Sequence, residues 1–140
     1  MVIICPDTFN EEEKYREYFN YFSGFDLSFF QKWAIKSIVD NQHILVTAHT
    51  GSGKTLPAEF AIQYFVGKGK KVIYTAPIKA LSNTKLYDLR NKYPEISFGI
   101  ITGDITDNPE ADVLIMTTEI LPNTIMNRKG MTDDILSEIF

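Results

Sequence analysis

The chain has 140 residues, 44% of them hydrophobic and 23% charged, with a formal net charge of −4. That length buries about two-thirds of the unfolded surface, and the composition is that of a globular domain. An acidic balance excludes a general basic surface for nucleic acid, so any such contact must be local, through backbone N–H groups, hydroxyls and a few lysines. Cys5 has no cysteine to pair with, and no Cys/His cluster has metal-ligand spacing, which suits a reducing, intracellular compartment. No apolar run is long enough for a membrane span, and no basic-then-apolar leader opens the chain.

In chain order, Asn10 and Glu13 read as a capping pair, and Tyr15, Tyr18, Phe19 and Phe22 share one face of the helix that follows. Glu11, Glu12 and Glu13 read as its solvated first turn. Ser23-Gly24 ends the segment. A second helix starts near Ser28, with Phe30, Trp33, Ala34, Ile38 and Val39 on one side. Strands and helices then alternate. Strands are expected at Ile44–Thr47, Val72–Ala76, Ser97–Ile101 and Val113–Thr117, and helices at 54–66 and Lys79–Lys92, with a further helix broken or started near Pro122. In the 54–66 helix, Leu56, Phe60, Ala61, Tyr64 and Phe65 turn inwards, and Pro57 lies in the first turn, where its missing N–H costs nothing. Near-continuous apolar strands separated by helices predict an α/β fold: a parallel sheet with helices on both faces. Ligands of such sheets bind at the carboxyl ends of the strands.

Residues 48–55 read Ala-His-Thr-Gly-Ser-Gly-Lys-Thr, between an apolar run and a helix. This is the pattern of a phosphate-binding loop, with Ala48 where the usual pattern has Gly. Gly51 and Gly53 permit a tight turn that aims N–H groups at one point, and the following helix directs its positive end there. Lys54 supplies a charge for β- and γ-phosphates, and the Thr55 hydroxyl is a candidate Mg²⁺ ligand. A Gly-rich turn that merely precedes Lys-Thr is the bland alternative. The loop, from His49 and Thr50 through Ser52 to Thr55, is the expected ATP site, with Lys54 and Thr55 its chemical groups. A GTPase would carry Asn-Lys-x-Asp, whereas Asn91-Lys92 continues as Tyr93-Pro94.

Each later strand hands over to a polar motif. Ala76-Pro77-Ile78-Lys79-Ala80-Leu81-Ser82-Asn83 follows the second, Thr102-Gly103-Asp104 the third and Thr117-Thr118-Glu119-Ile120-Leu121 the fourth. All are expected on the sheet edge that carries the phosphate loop. Helix N-termini, hydroxyls and N–H groups gathered there suit a second anionic ligand, with a nucleic-acid backbone the obvious one.

This order and spacing resembles the first RecA-like domain of superfamily 2 helicases, and more narrowly the Ski2-like group of DExH RNA helicases, the exosome-cofactor type. Ala48–Thr55 matches motif I, Ala76–Asn83 motif Ia, Thr102–Asp104 the Thr-Gly-Asp motif and Thr117–Leu121 motif Ib. Phe25 and Gln31 match an adenine-reading segment. The resemblance covers about residue 25 onwards, which makes 25–140 an incomplete RecA-like P-loop domain and 1–24 a helical extension. It implies that Gln31 hydrogen-bonds adenine, that Phe25 packs against it, and that Lys54 and Thr55 hold phosphates and Mg²⁺. Pro77, Lys79, Ser82, Asn83, Gly103, Asp104, Thr117 and Thr118 would line a path for single-stranded RNA, in an RNA-decay or RNA-processing assembly.

Several of these residues also have simpler readings. Ser28-x-x-Gln31 is a capping box, Phe25 a plain core residue, Thr117-Thr118 a helix cap and Asp104 a turn former. His43 and His49 have no partners at metal spacing, and His49 is expected to face solvent. No Asp-Glu dipeptide occurs in the chain. In the resembled pattern the acidic motif falls shortly after Asp134–Phe140, so the chain is expected to be a piece lacking motif II, motif III and the second RecA-like domain. Later strands would flank Ile44–Thr47 in that pattern, so marginal stability is expected without them. A DNA helicase of the same superfamily and a non-catalytic nucleotide- or RNA-binding module are the competing readings.

Overall fold

The computed structural model describes residues 1–49, 51–123 and 135–139, the last of these as backbone only. The chain divides into two compact units, Met1–Ala61 and Ile62–Phe140.

In the first unit, α1 (Glu12–Phe19) and α2 (Phe29–Val39) pack around aromatic side chains. Phe9 is buried, with its ring edge-to-face on Trp33, Phe19 and Tyr15 at centroid distances of 5.1, 5.5 and 6.2 Å. Trp33 Nε1–H donates to Thr8 O at 2.9 Å and holds the segment before α1 in place. The expected Asn10 cap does not form. The N-cap position is Glu11, without a side-chain cap bond. Glu11 and Glu12 are also not a solvated turn: they are half-buried and pair with Lys36 and Lys32 of α2. These tertiary ion pairs outcompete the local capping pattern.

A polar cluster lies beneath them. Tyr15 is buried and donates from its hydroxyl to the Asp40 carboxylate at 2.9 Å. Lys36 Nζ donates to Asp40 at 2.7 Å and to the Tyr15 hydroxyl at 3.0 Å. The Lys36 ammonium is held well above the ordinary lysine range by Asp40, then by Tyr15. Burial pushes the Asp40 carboxyl up, but the bonds from Lys36 and Tyr15 together outweigh it and leave it below the usual carboxylate range.

The expected strand Ile44–Thr47 is not formed; no residue from 43 to 49 is in a strand. The run is apolar enough, but a strand is a pairing, not a property of one segment. The helix after the phosphate loop forms as expected, as α3 (Thr55–Gly67).

The second unit is an α/β sheet structure. Its strands are β1 (Lys71–Ala76), β2 (Phe98–Ile101), β3 (Thr106–Asp107), β4 (Val113–Thr117) and β5 (Ile135–Ile139), in the order β3-β2-β4-β1-β5. The sheet is mostly parallel. Only the two-residue β3, which the sequence pattern did not signal, runs antiparallel to its neighbour β2. β1, β2 and β4 each have a partner on both sides. Every residue of β4 is buried, as its unbroken apolar run requires. The core gathers Ile73, Ala111, Leu114 and Met116, with Ile101 and Leu121 against it. Helix α4 (Lys79–Lys92) has the predicted limits and packs on β1, β2 and β4. Arg90 fastens its last turn, donating to Phe98 O and Asp107 Oδ2, each at 2.8 Å. After β4 comes a single 3-10 turn, Thr118–Ile120, and residues 121–123 are helical; the rest of the helix expected near Pro122 lies outside the described residues.

Gly99 in β2 has no room for a side chain. A Cβ there would lie 2.1 Å from Asn108 O, a backbone atom. Gly99→Ala should lower stability by about 3 kcal/mol, the upper end of overpacking costs. Gly67→Ala, where a Cβ meets nothing within 4 Å, should change it by under about 0.5 kcal/mol. Urea midpoints of the two variants check this.

The Asp40 cluster sets a pH limit. A carboxylate with a depressed folded pKa stabilises above its unfolded value, about 3.9, and that contribution fades as pH falls through the folded value. A lysine with a raised pKa stabilises below about 10.4 and loses that contribution as pH rises through its folded value. Stability from this cluster should therefore be flat between about pH 5 and pH 9 and fall on the acid side. Asp40→Asn should be less stable at pH 7 and show a shallower acid limb in thermal melts from pH 2 to 7.

Candidate nucleotide loop and nucleic-acid edge

The first unit carries the loop. Gly51 and Gly53 adopt φ of 83° and 85°, the left-handed region that glycine enters without strain. Ser52 N–H donates to His49 O at 3.2 Å and the Ser52 hydroxyl to the same oxygen at 2.6 Å. Leu56 N–H donates to Gly53 O at 3.3 Å as α3 begins. His49, Lys54 and Thr55 are exposed, while Thr50 lies outside the described residues. The turn is thus present without the strand expected before it. Two left-handed glycines, a helix start, an exposed ammonium and an exposed hydroxyl form a donor set that suits a polyphosphate with a bound cation.

Gln31 reaches this loop from α2. Its side chain is buried and works in two directions. Ser28 N–H donates to Gln31 Oε1 at 2.9 Å, completing a capping box. Gln31 Nε2 donates to Gly53 O at 3.1 Å. The cap reading of Gln31 thus holds, and its bond to the loop is an addition that sequence spacing did not signal. One N–H and one lone pair of the amide remain. Phe25 is not a core residue: it is 72% exposed.

The second unit carries the edge. The parallel register pairs Ala76 with Thr117 and Ile101 with Met116, so β1, β2 and β4 end at one level. Pro77–Asn83, Thr102–Asp104 and Thr117-Thr118 therefore leave the same edge. Pro77, Asn83, Gly103, Asp104 and Thr118 are exposed and Lys79 is half-buried. Lys79 and Asp104 form an ion pair across two of the three segments. That hydrogen bond from Lys79 is the main reason the Asp104 carboxyl sits below its usual range. The Thr102 hydroxyl donates to Asp104 Oδ1 at 3.2 Å and accepts from Ile105 N–H at 3.2 Å, so Asp104 is also part of a turn. Ser82 is fully buried, its hydroxyl donating to Ile78 O at 3.4 Å. Thr117 is 2% exposed, and its Oγ1 has no hydrogen-bond partner. A cavity of about 300 Å³ opens between β1 and α4 beside Pro77, with Leu81, Thr84 and Lys85 in its wall.

The glycine-turned loop before α3 has the sequence and backbone of a P-loop, and the sheet unit is of the mostly parallel α/β class. The sequence model of the DEAD/DEAH box helicase family matches residues 28–139, and the chain belongs to that family. It is 42% identical over 116 residues to the antiviral helicase SKI2 of Saccharomyces cerevisiae, covering 83% of this chain and 9% of that protein. It is 41% identical over 116 residues to the human exosome RNA helicase MTR4, covering 83% and 11%. It is 50% identical over 97 residues to the mRNA transport homolog 4 of Caenorhabditis elegans, covering 69% and 9%. The chain thus spans about a tenth of the length of these relatives.

Gly53→Ala tests the loop. A Cβ at that position would lie 2.5 Å from Gln31 Nε2, and the left-handed φ costs an alanine about 1–2 kcal/mol. The variant should lose that much from strain and more from the collision. In a Gln31→Ala background the collision is gone and the strain remains, so Gly53→Ala should cost less there than in the wild type, by urea titrations of the two single variants, the double variant and the wild type.

Proposed function

We propose that the chain is the ATP-binding portion of an ATP-dependent RNA helicase. The observation that carries this is the loop Ala48–Thr55, where Gly51 and Gly53 turn left-handed into the start of α3 with Lys54 and Thr55 exposed. Lys54 would hold β- and γ-phosphate oxygens, and the Thr55 hydroxyl would hold Mg²⁺. Mg²⁺, when bound, neutralises charge on those oxygens. The free N–H and lone pair of Gln31 complement the N7 acceptor and N6 donor of adenine. His49, Thr50 and Ser52 complete the loop around the phosphates.

Single-stranded RNA lies along Pro77–Asn83, Thr102–Asp104 and Thr117-Thr118 and is held by its backbone. The family membership, the common level of the strand ends and the orphan Thr117 hydroxyl support that reading. Residues 25–140 belong to a first RecA-like domain and 1–24 to a helical extension. Names of relatives such as the exosome RNA helicase MTR4 suggest an assembly for RNA decay or processing. This chain alone is inactive in hydrolysis. An acidic pair that positions cation and water and an arginine finger are required as well, the finger alone being worth about 10³–10⁵ in rate.

Lys54→Ala should weaken binding of a fluorescent ATP analogue at least tenfold, with an unchanged circular dichroism spectrum. Equal affinity removes the loop from the site. Phosphate release by the wild-type chain with saturating RNA should stay at background. Turnover that vanishes in Lys54→Ala would refute the inactivity and make Glu119 the candidate base.

A further inference from the structure

Lys79 stands in an unusual place. It is the first residue of α4, whose first turn holds no acidic side chain. A helix N-terminus carries partial positive charge, so a lysine there is the wrong sign for its position. The structure supplies the missing anion from another segment: the Asp104 carboxylate contacts Lys79 Nζ. Asp104 is held from its other side by the Thr102 hydroxyl, within a turn closed by Thr102 N–H donating to Ile105 O at 2.8 Å. The two side chains are 41% and 68% exposed, so a ligand arriving from solvent can exchange one partner for another. Thr117, whose buried hydroxyl has no partner, sits on the same edge, opposite Ala76, which precedes Lys79 by three residues in the chain.

We propose that Asp104 is a built-in competitor of the nucleic-acid backbone: its carboxylate occupies the Lys79 ammonium, and a phosphodiester displaces it on binding. The proposal rests on the nucleic-acid reading of this edge. Both groups are monoanions that accept hydrogen bonds from an ammonium, so a phosphodiester can take the carboxylate's place on Lys79, while the released carboxylate keeps the Thr102 hydroxyl and turns to solvent. Asp104 is therefore a positioning residue that acts through Lys79. Before binding it offsets the unfavourable charge at the start of α4 and ties two segments of the edge together. During binding it sets a threshold, because a ligand must replace a charge-assisted bond as well as form one. It also flattens the salt dependence, because a lysine already neutralised by Asp104 contributes little to counterion release from the strand.

The test is fluorescence anisotropy with a labelled twelve-residue oligouridine between 50 and 200 mM NaCl. Asp104→Asn should bind roughly two- to fivefold tighter at 50 mM, the span that an exposed ion pair covers. Its log–log salt slope should steepen by about 0.7, one phosphate contact on a single strand. Asp104→Ser, which keeps a turn-forming side chain, should show the same two changes, and Asp104→Glu should match the wild type. In a Lys79→Ala background, Asp104→Asn should change neither quantity. Weaker binding by both the Asn and Ser variants, or an unchanged slope, overturns the competitor role while leaving the edge intact. If Lys79→Ala does not weaken binding, the nucleic-acid reading of the edge falls and the proposal with it.

Discussion

Backbone pairing is the constraint on which this structure depends. A buried N–H or C=O must find a partner, and in the second unit that partner is supplied by the parallel ladder β2-β4-β1. A parallel ladder brings every strand to the same edge at its carboxyl end. Because β4 is buried along its whole length, polar chemistry can enter that strand only where it stops, at Thr117 and Thr118. The placement of the three polar segments is thus a consequence of hydrogen bonding rather than of the segments' own sequences. Chain order alone separates Lys79 from Asp104 by 25 residues, and the ladder puts their side chains in contact.

The same constraint explains what the sequence did and did not disclose. β1, α4 and β4 were legible to within a residue, because each carries its signal locally: unbroken apolar runs for the strands, helix-forming residues between Pro77 and Pro94 for α4. Ile44–Thr47 carries an equally apolar signal and forms no strand, because pairing partners cannot be read from the segment itself. β3 is too short to leave a pattern. Gly99 reads as an ordinary glycine in an apolar run, and only the approach of the Asn108 carbonyl shows why a side chain is excluded. At the N-terminus a well-formed capping pattern lost to ion pairs with Lys32 and Lys36, which lie some twenty residues away in sequence.

Gln31 shows how a local rule and a long-range contact coexist. As a capping residue it needs only its oxygen, for the Ser28 N–H. Its nitrogen is then available to the phosphate loop, 22 residues further on. A glutamate would serve the cap equally well. It would place a carboxylate against the Gly53 carbonyl, where acceptor meets acceptor. The amide is therefore selected by the loop and not by the helix. The sequence displayed the cap plainly and concealed the loop contact, since the capping box is a spacing rule and the contact is not.

The acidic balance of the chain is compatible with locally positive places for a reason visible in the ion pairs. Glu11, Glu12, Asp40, Asp107 and Glu110 each face a lysine or arginine. Their charge is neutralised within a few ångströms, and at about 0.1 M salt charges more than about 10 Å away are largely screened. What an approaching phosphate meets is the near set of groups: helix starts, exposed N–H groups, Lys54 at one site and Lys79 at the other. Net charge therefore describes how the whole molecule moves in a field but says little about these two places. At Lys54 nothing within the described loop opposes an anion. At Lys79 a carboxylate already occupies the ammonium. The two places are accordingly different in kind: one ammonium is exposed, and the other already has an internal partner.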